Sequence, residues 1–427
     1  MNRKLEALTN PLILCTVLAL QPALAGMARA DWPQMLGPNR DGKAAAADDV
    51  TLLSSFPEDG PKVAWKHKVG EGFAGPVVAN GKVLVFHRDG NKATLESLDA
   101  LTGKPGWTYR YDTDYRDSFG FDGGPRSAPT VDGGQVFLYG AEGQLRCVDE
   151  QTGKGQWSLD LVKEVDSAQG FFGRSSAPLV VGEVVIVCAG GEKNGKRSAV
   201  FAFQRKTGKL AWQAVDDEAD YASPVLGTFH EKAVVVCFLR TGLALLDPAT
   251  GAELYTERFR PEINASVNAA SPVLLGDNRV FLSSCYDVGA GVWQVTPELK
   301  AKSLWKRNDQ LDCHYATPVE NDGYLYGFHG RQESGTELRC IRASDGEVQW
   351  KTPRMPAGSV LIADDRLLVL TEKGELVIAP LSAKQFTPST RGQVLAAETR
   401  ALPAYANGFF YCRDRRQLVC IDLRPSK

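Results

Sequence analysis

The sequence predicts an all-β protein: an eight-bladed β-propeller of four-stranded antiparallel blades, with the last blade closed by the N-terminal strand. The first observation is composition, because 42 glycines, 8 tryptophans and short Val, Leu and Ile runs separated by Asn-Gly, Asp-Gly and Gly-Gly pairs are typical of a turn-rich all-β chain. The second is a repeat with a period of roughly 40 to 50 residues, which indicates a propeller or a repeat array. The third is that the two ends of the chain carry complementary, incomplete repeats.

Each repeat contains a hairpin followed by an aromatic residue. Asp99 begins the frame Asp-x-x-Thr-Gly-Lys-x-x-Trp that ends at Trp107, and Asp149 begins the same frame that ends at Trp157. In such a frame the Asp can hydrogen-bond the turn backbone, the Gly can adopt positive φ, and the aromatic residue lies on the next strand. The frame recurs more loosely along the chain. Its aromatic positions are Trp65, Trp107, Trp157, Trp212, Tyr255, Trp305 and Trp350.

Two further strand-like runs precede each hairpin, which predicts four strands per unit. A lone four-stranded unit cannot bury its faces, so the units are expected to stack around an axis. The eighth unit ends near Asp422 without a fourth strand, whereas residues 63–67 form an orphan strand before the first unit. We therefore expect these two segments to complete one blade. The eight first strands begin near Ala74, Ala128, Ala177, Ala222, Ala270, Ala316, Val360 and Pro403.

The N-terminus has the pattern of a signal peptide. Arg3 and Lys4 precede an apolar run over residues 11–25 that is too short to span a bilayer, and no later run is long enough to do so. Cys15 lies inside the apolar run and lacks the small residues of a lipoprotein signal before it. We expect an exported protein, periplasmic or extracellular, that is soluble after cleavage. The predicted domains are a signal peptide (1–30), a lead-in segment (31–62) and the propeller (63–427).

The charge balance argues against a nucleic-acid partner. The whole chain has a formal net charge of -2 at pH 7, and residues 1–30 carry more basic than acidic groups, so the mature chain is more acidic still. Nucleic-acid binding requires clustered positive charge. We expect a monomer with a protein or glycan partner.

The frame Asp-x-x-Thr-Gly-Lys-x-x-Trp resembles the tryptophan-docking repeat of pyrroloquinoline-quinone-type propellers. The opening Asp31-Trp32-Pro33-Gln34 is similar to the lead-in of exported bacterial propellers of this group. The resemblance covers nearly the whole mature chain and implies that each repeated aromatic residue packs between neighbouring blades. The group includes both dehydrogenases and non-enzymatic scaffolds, so the resemblance predicts the fold better than the activity.

The quinone-dependent alcohol and sugar dehydrogenases of this group imply a quinone held against a disulfide of adjacent cysteines, above a calcium ion. This sequence has no adjacent cysteines, no CxxCH haem motif and none of the common hydrolase, metalloprotease or phosphate-binding motifs. We therefore expect no cofactor. Pyrroloquinoline quinone with calcium is the alternative. The cysteines after residue 30 are Cys147, Cys188, Cys237, Cys285, Cys313, Cys340, Cys412 and Cys420.

Most of these cysteines fall at repeated blade positions, which favours small buried side chains over reactive thiols. Cys412 and Cys420 flank a hairpin centred on Arg416, so in-register pairing would place them opposite each other. A disulfide between them and a pair of free thiols both remain open.

Larger side chains precede the innermost strand of several blades: Arg126, Arg174, Tyr221, Asn268 and His314. Because innermost strands line the axis of a propeller, we expect these side chains to meet at one mouth of the central channel. They could bind an anionic or carbohydrate ligand through charge-assisted hydrogen bonds and ring stacking. Alternatively, they bond loop carbonyls and close the channel.

The longest connection, residues 111–124, combines aspartates with aromatic residues, and long loops are often functional. Asp112 and Asp114 have the spacing of the start of a calcium loop, but the Gly and Glu of such a loop are missing. Exposed aromatic residues fit a protein or sugar contact better, and Phe171 and Phe172 in a second connection are expected to extend the same rim. The aromatic residues of the long loop are Tyr115, Phe119 and Phe121.

Three functional hypotheses remain. The first is a non-catalytic propeller that presents its rim to an envelope protein or glycan, similar to the propeller lipoprotein of the outer-membrane barrel-assembly machinery. The second is a quinone-dependent dehydrogenase. The third is a binding protein for a small anion or carbohydrate at the arginine-bearing mouth.

Overall fold

The predicted propeller is confirmed. The computed structural model describes residues 30–45 and 50–425, so the predicted signal peptide lies outside the described residues except for Ala30. Over this part of the chain 32 strands form eight four-stranded antiparallel sheets, each of which is one blade. The one helix in these residues has five residues, and no described helix is long and apolar enough to cross a membrane.

Each blade consists of four strands, which in blades 1 to 7 follow sequence order from the axis outward. Blades 1 and 2 consist of β2 (Val77–Ala79), β3 (Lys82–Asp89), β4 (Lys92–Asp99), β5 (Pro105–Asp112), β6 (Thr130–Asp132), β7 (Gln135–Tyr139), β8 (Gln144–Asp149) and β9 (Gly155–Asp160), and helix α1 (Leu161–Val165) follows β9. Blades 3 and 4 consist of β10 (Leu179–Val181), β11 (Val184–Lys193), β12 (Lys196–Gln204), β13 (Leu210–Ala214), β14 (Val225–Phe229), β15 (Lys232–Phe238), β16 (Gly242–Leu246) and β17 (Glu253–Arg258). Blades 5 and 6 consist of β18 (Val273–Leu275), β19 (Arg279–Ser284), β20 (Gly289–Val295), β21 (Ala301–Arg307), β22 (Val319–Asn321), β23 (Tyr324–His329), β24 (Glu337–Arg342) and β25 (Val348–Lys351). Blades 7 and 8 consist of β26 (Gly358–Ala363), β27 (Arg366–Thr371), β28 (Glu375–Pro380), β29 (Thr390–Gln393), β30 (Ala404–Ala406), β31 (Phe409–Arg413), β32 (Gln417–Asp422) and β1 (Val63–Lys68).

The N-terminal strand closes the ring as predicted. Strand β1 pairs antiparallel with β32, with Trp65 opposite Cys420, so the fourth strand of blade 8 comes from the start of the propeller. Across the seam between blades 8 and 1, the Glu96 carboxylate lies 2.7 Å from Nε2 of His67 and 3.4 Å from Nε2 of His87. Burial alone would raise the pKa of Glu96, but the bonds to His87 and His67 outweigh it and hold the pKa at about 2.

Neighbouring blades are joined by the repeated tryptophans. The Trp107 ring lies against Gly153 of the next blade, where a Cβ atom would come within 2.5 Å of the ring, and φ at Gly153 is +71°. The turn is held by Asp149, whose carboxylate accepts hydrogen bonds from the Thr152 amide (2.8 Å) and hydroxyl (2.6 Å). Six indole N–H groups donate to a backbone carbonyl of the next blade: Trp65 to Ala100 (3.0 Å), Trp107 to Glu150 (2.9 Å), Trp157 to Arg205 (2.8 Å), Trp212 to Pro248 (3.2 Å), Trp305 to Ala343 (2.9 Å) and Trp350 to Ser382 (2.9 Å).

The interface between blades 4 and 5 departs from this pattern. Tyr255 occupies the repeated position but donates its hydroxyl hydrogen to Glu257 on its own strand, at 2.8 Å. Trp293, a buried residue of β20 that the repeat does not single out, donates its indole N–H to the same carboxylate at 2.9 Å. A side chain from the third strand of blade 5 therefore replaces the missing indole contact.

The lead-in segment covers one face of the propeller. Trp32 forms a β-bridge with Val78 of blade 1, and Lys43 forms one with Ile362 of blade 7, so the segment crosses the ends of the innermost strands. We call this side the lead-in face. The opposite side, formed by the connections from each outermost strand to the next innermost strand, is called the mouth face.

Arg40 of the lead-in enters the central channel and is buried there. Its guanidinium donates to the carbonyl oxygens of Ala177 (3.3 Å), Pro224 (2.8 Å) and Pro178, and to the Thr130 hydroxyl oxygen (3.4 Å). Burial lowers the pKa of Arg40 to about 9. This side chain therefore links the innermost strands of blades 2, 3 and 4 from inside the channel.

Cys412 and Cys420 are free thiols, so the alternative of a disulfide between them is wrong. In the hairpin of blade 8, Cys412 pairs with Val419 and Cys420 pairs with Tyr411, so the turn is centred half a residue before Arg416. Adjacent pairs of an antiparallel ladder point to opposite faces, which separates the two sulfur atoms. The eight cysteines of the described residues are all buried free thiols.

Candidate functional site

Four phenylalanines from two neighbouring connections form an exposed cluster on the mouth face, which we call the phenylalanine patch. Phe119 and Phe121 follow β5, whereas Phe171 and Phe172 follow α1. Phe119, Phe121 and Phe171 are 57%, 46% and 38% exposed. The ring centroid of Phe172 lies 5.3 Å from that of Phe119 and 6.0 Å from that of Phe121, so the two connections contact each other through these rings.

Two residues that the sequence suggested as ligand contacts hold the patch in place instead. The half-buried Arg126 forms an ion pair with Asp117 at 2.7 Å, donates to the Asp122 carbonyl at 3.1 Å and also donates to the Phe172 carbonyl. The Tyr221 hydroxyl oxygen accepts the amide hydrogen of Phe172 at 2.9 Å and that of the preceding residue at 2.6 Å. Burial raises the pKa of Tyr221 to about 12, so this hydroxyl stays protonated.

Tyr115 lies beneath the patch. It is 3% exposed, and its ring occupies the space beside Gly173, where a Cβ atom would come within 2.7 Å of the ring. Arg88 donates to the carbonyl oxygens of Tyr115 and of Gly123, the latter at 2.9 Å. Tyr115 therefore supports the loop and does not present its ring to solvent.

Arg174 and Asn268 are also committed to contacts within the chain. The buried Arg174 guanidinium donates to the Ser167 hydroxyl at 2.9 Å, to the Ser167 carbonyl and to the Ala141 carbonyl at 3.3 Å. The Asn268 amide donates to Leu239 at 2.9 Å, and its oxygen accepts from a serine hydroxyl. Both residues hold connections of the mouth face together.

His314 lies in the connection between blades 5 and 6. Its Nδ1 is 2.7 Å from the Gln332 amide oxygen and its Nε2 is 2.8 Å from the Tyr286 hydroxyl. Burial lowers the pKa of His314. The five residues predicted at the mouth thus lie on the same face, but their polar groups bond to the chain itself.

Two clefts flank the phenylalanine patch. The first, of about 700 Å³, lies between the connections of blades 2 to 4 and is lined by Phe171, Tyr221, Asp220 and Arg260 among others. Burial raises the pKa of Asp220 there to about 6. The second, of about 690 Å³, lies between Phe121 and the connections of blades 6 to 8.

The residues present do not fit a quinone and calcium centre. Residues 30–45 and 50–425 contain no group of three or more His, Cys, Asp or Glu side chains arranged to hold a metal ion. Asp112, one of the two aspartates with calcium-loop spacing, pairs with Lys92 at 2.6 Å. No two cysteines are adjacent, and Arg40 occupies the channel from the lead-in face.

A family model described as "Outer membrane protein assembly factor BamB" matches residues 91–352, which is more than half of the chain. The chain belongs to the BamB family. Among curated members, BamB of Yersinia pestis is 25% identical over 351 residues, which is 77% of this chain and 80% of that protein. The solved structure of BamB from Moraxella catarrhalis has a TM-score of 0.62 at 14% identity and covers 85% of this chain and 99% of that chain.

Similarity also extends beyond the BamB family. Quinohemoprotein alcohol dehydrogenase ADH-IIG of Pseudomonas putida is 28% identical over 256 residues, which is 55% of this chain. The chain spans only 34% of the length of that dehydrogenase. The predicted resemblance to pyrroloquinoline-quinone-like propellers, the BamB family among them, is confirmed.

Proposed function

We propose that the protein is an exported, non-catalytic scaffold of the cell envelope that binds a protein partner through the phenylalanine patch. The observation that carries the proposal is the exposure of Phe119, Phe121 and Phe171 at 57%, 46% and 38% on one face. Contiguous exposed apolar surface on a folded protein marks interaction sites, and aromatic side chains often dominate binding energy.

The patch is held in position before any partner binds. Arg126 and Tyr221 bond to the backbone of both connections, so the rings are presented on an ordered support. A surface that is ordered before binding loses less conformational entropy on association. This favours specific recognition by the patch over a nonspecific apolar contact.

The two ligand-binding alternatives receive less support from the same residues. A small anion would need free cationic groups, but Arg126 is paired with Asp117, and Arg174 is buried against carbonyl and hydroxyl oxygens. A glycan would need polar groups beside an open ring, and the Tyr221 hydroxyl is already engaged. A protein surface with apolar side chains is the better complement to a cluster of phenylalanines.

A quinone-dependent dehydrogenase is the remaining alternative. Reconstituting the pure protein with pyrroloquinoline quinone and calcium tests it by absorbance and dye-linked alcohol oxidation. We expect neither a stoichiometric complex nor turnover. A complex that turns over would overturn the non-catalytic assignment.

The cellular setting rests on the N-terminal pattern and the family. Residues 1–30 have the features of a signal peptide, and the relatives are named as outer membrane protein assembly factors. We propose a mature protein that is soluble and monomeric in the periplasm or outside the cell.

Affinity capture from envelope extracts tests the patch. The variant Phe119→Ser with Phe121→Ser is compared with wild type and with Leu101→Ser, since Leu101 is 49% exposed on the opposite face. We expect a protein retained stoichiometrically by wild type and by Leu101→Ser, and lost from the double variant. Retention by the double variant would contradict the proposal, as would a captured species that survives proteolysis and is destroyed by periodate, which would identify a glycan.

A further inference from the structure

The cleft of about 690 Å³ beside the phenylalanine patch has an apolar wall, and we call it the Met355 cleft. Phe121, Met355, Pro356 and Ala357 line it, so one ring of the patch is also a wall of the cleft. Met355 is fixed by two hydrogen bonds to Thr336: its amide donates to the Thr336 carbonyl at 2.9 Å, and its carbonyl accepts from the Thr336 hydroxyl at 2.7 Å. The methionine side chain is adaptable and polarizable, which suits an apolar binding surface.

The acidic side chains that line the cleft all have cationic partners. Glu372 pairs with Arg400 at 3.0 Å and accepts the Tyr315 hydroxyl hydrogen at 2.7 Å. Glu333 pairs with Arg331 at 3.4 Å. Glu398 lies 3.4 Å from Arg415, which also pairs with Asp122 at 3.1 Å and with Glu71 at 3.2 Å. Glu372 and Glu333 are therefore each balanced by a cation, whereas Glu398 shares its cation with two other carboxylates.

Unlike these acidic residues, two basic residues of the same cleft have no partner of opposite charge among the residues that the structure describes. Arg354 and Lys373 both line the cleft and are exposed, and within the described part of the chain neither forms an ion pair. The Arg400 guanidinium lies 5.6 Å from the Phe121 ring centroid, so the cation that pairs with Glu372 also contacts the ring shared by the cleft and the patch. The cleft thus combines an apolar wall with two exposed cations, Arg354 and Lys373, that form no ion pair within the described residues.

We propose that the Met355 cleft binds an acidic segment of the protein partner, in which an apolar side chain enters the cleft and flanking carboxylates contact Arg354 and Lys373. The inference rests on the proposed function, because the cleft shares Phe121 with the patch. Charge complementarity carries the assignment: a rim with spare cations favours an anionic segment and disfavours a cationic one. The cleft on the other side of the patch is lined by five acidic and four basic side chains, so acidic groups are in excess there, whereas the Met355 cleft is lined by three of each.

Fluorescence anisotropy with three labelled hexapeptides tests the inference on the mature chain. The probes share a central Leu-Phe pair, flanked on each side by two aspartates, two serines or two lysines. We expect the aspartate peptide to bind about tenfold or more tightly than the serine peptide, to weaken with added salt, and the lysine peptide not to bind. Equal binding of the aspartate and serine peptides, or no binding of the aspartate peptide, would overturn the inference.

Charge-reversal variants locate the site. Arg354→Glu with Lys373→Glu is compared with Lys104→Glu with Lys154→Glu, which makes the same change in net charge on the opposite face. We expect the first pair to lose the preference for the aspartate peptide and the second to keep it. Equal losses in both pairs would show that overall charge, and not the cleft, attracts the peptide.

The result of the peptide-binding experiment can be distinguished from the result of the capture experiment that tests the proposed function. If capture of a protein depends on Phe119 and Phe121 but the aspartate peptide fails to bind, only the present inference is refuted. If the aspartate peptide binds at Arg354 and Lys373 while capture does not depend on the patch, the proposed function is refuted and the cleft stands as an independent acidic-peptide site.

Discussion

Replacing Trp65 by alanine tests how the ring is closed. Trp65 lies on β1, is 8% exposed, and donates its indole N–H to the Ala100 carbonyl of blade 1 at 3.0 Å. Removal of a buried Trp side chain costs about 3 to 5 kcal/mol. Loss of the hydrogen bond adds at most about 1 kcal/mol, and less here because Ala100 also accepts from the Tyr411 hydroxyl at 3.1 Å. We expect the free energy of unfolding to fall by about 4 kcal/mol.

The matched control is Trp107→Ala, which removes the same type of contact between blades 1 and 2, where the two blades are joined directly by the chain. Its indole donates to Glu150 at 2.9 Å and lies against Gly153. Both variants should have a lower free energy of unfolding than wild type when urea denaturation is monitored by fluorescence. Only Trp65→Ala should speed amide hydrogen exchange in both β1 and β32, because these strands form the seam between the two ends of the propeller.

The reasoning would be refuted if Trp65→Ala changed the free energy of unfolding by less than about 1 kcal/mol. It would also be refuted if exchange in β1 and β32 stayed at the wild-type rate while distant blades became faster. Either result would mean that the N-terminal strand does not carry the closure of the ring.

Three further predictions concern the seam, the thiols and the channel. Because the pKa of Glu96 is about 2 in the folded chain, its ionised form contributes stability above the ordinary carboxyl pKa, and this contribution is lost as the pH falls toward 2. Glu96→Gln should therefore lower the free energy of unfolding by about 1 kcal/mol at pH 7, after allowance for solvent screening, and by less at pH 3. A difference between the variant and wild type that did not change with pH would contradict this prediction. Thiol titration of the denatured mature protein should find eight thiols, and six would restore the Cys412–Cys420 disulfide. Arg40→Ala should lower the free energy of unfolding, measured by thermal unfolding, by about 3 kcal/mol, because it leaves buried carbonyl groups without hydrogen-bond donors. The control Arg110→Ala removes an exposed arginine and should change the free energy of unfolding little. Equal effects of the two variants would refute the role given to Arg40.

The blades could be predicted from the sequence because the residues that form each hairpin turn lie close together along the chain. The Asp, Thr and Gly of each hairpin and the following Trp define a turn and a docking residue within about ten residues, so the frame starting at Asp149 could be interpreted without the rest of the fold. The role of Trp293 was not predicted, because Trp293 lies on the third strand of its blade, whereas the repeated aromatic residues lie on the fourth. Its role depends on the absence of an indole at Tyr255, which no local pattern signals.

The candidate site was predicted only in position. The repeat predicts that its residues share one face, since innermost strands and their connections follow from the repeat. The partners of Arg126 and Tyr221 could not be predicted, because they lie on a neighbouring connection whose path is set by tertiary packing. Arg40 was missed for the same reason: its carbonyl partners come from three different blades.

Site-specific photocrosslinking in cells most directly tests the claim that the phenylalanine patch is a protein-binding surface. A benzophenone amino acid replaces Phe119, which is 57% exposed on the mouth face, and in a parallel strain replaces Leu101, which is 49% exposed on the lead-in face. The account predicts one discrete protein adduct from position 119 and none from position 101. Adducts from position 101 alone, or no adduct from position 119, would contradict it.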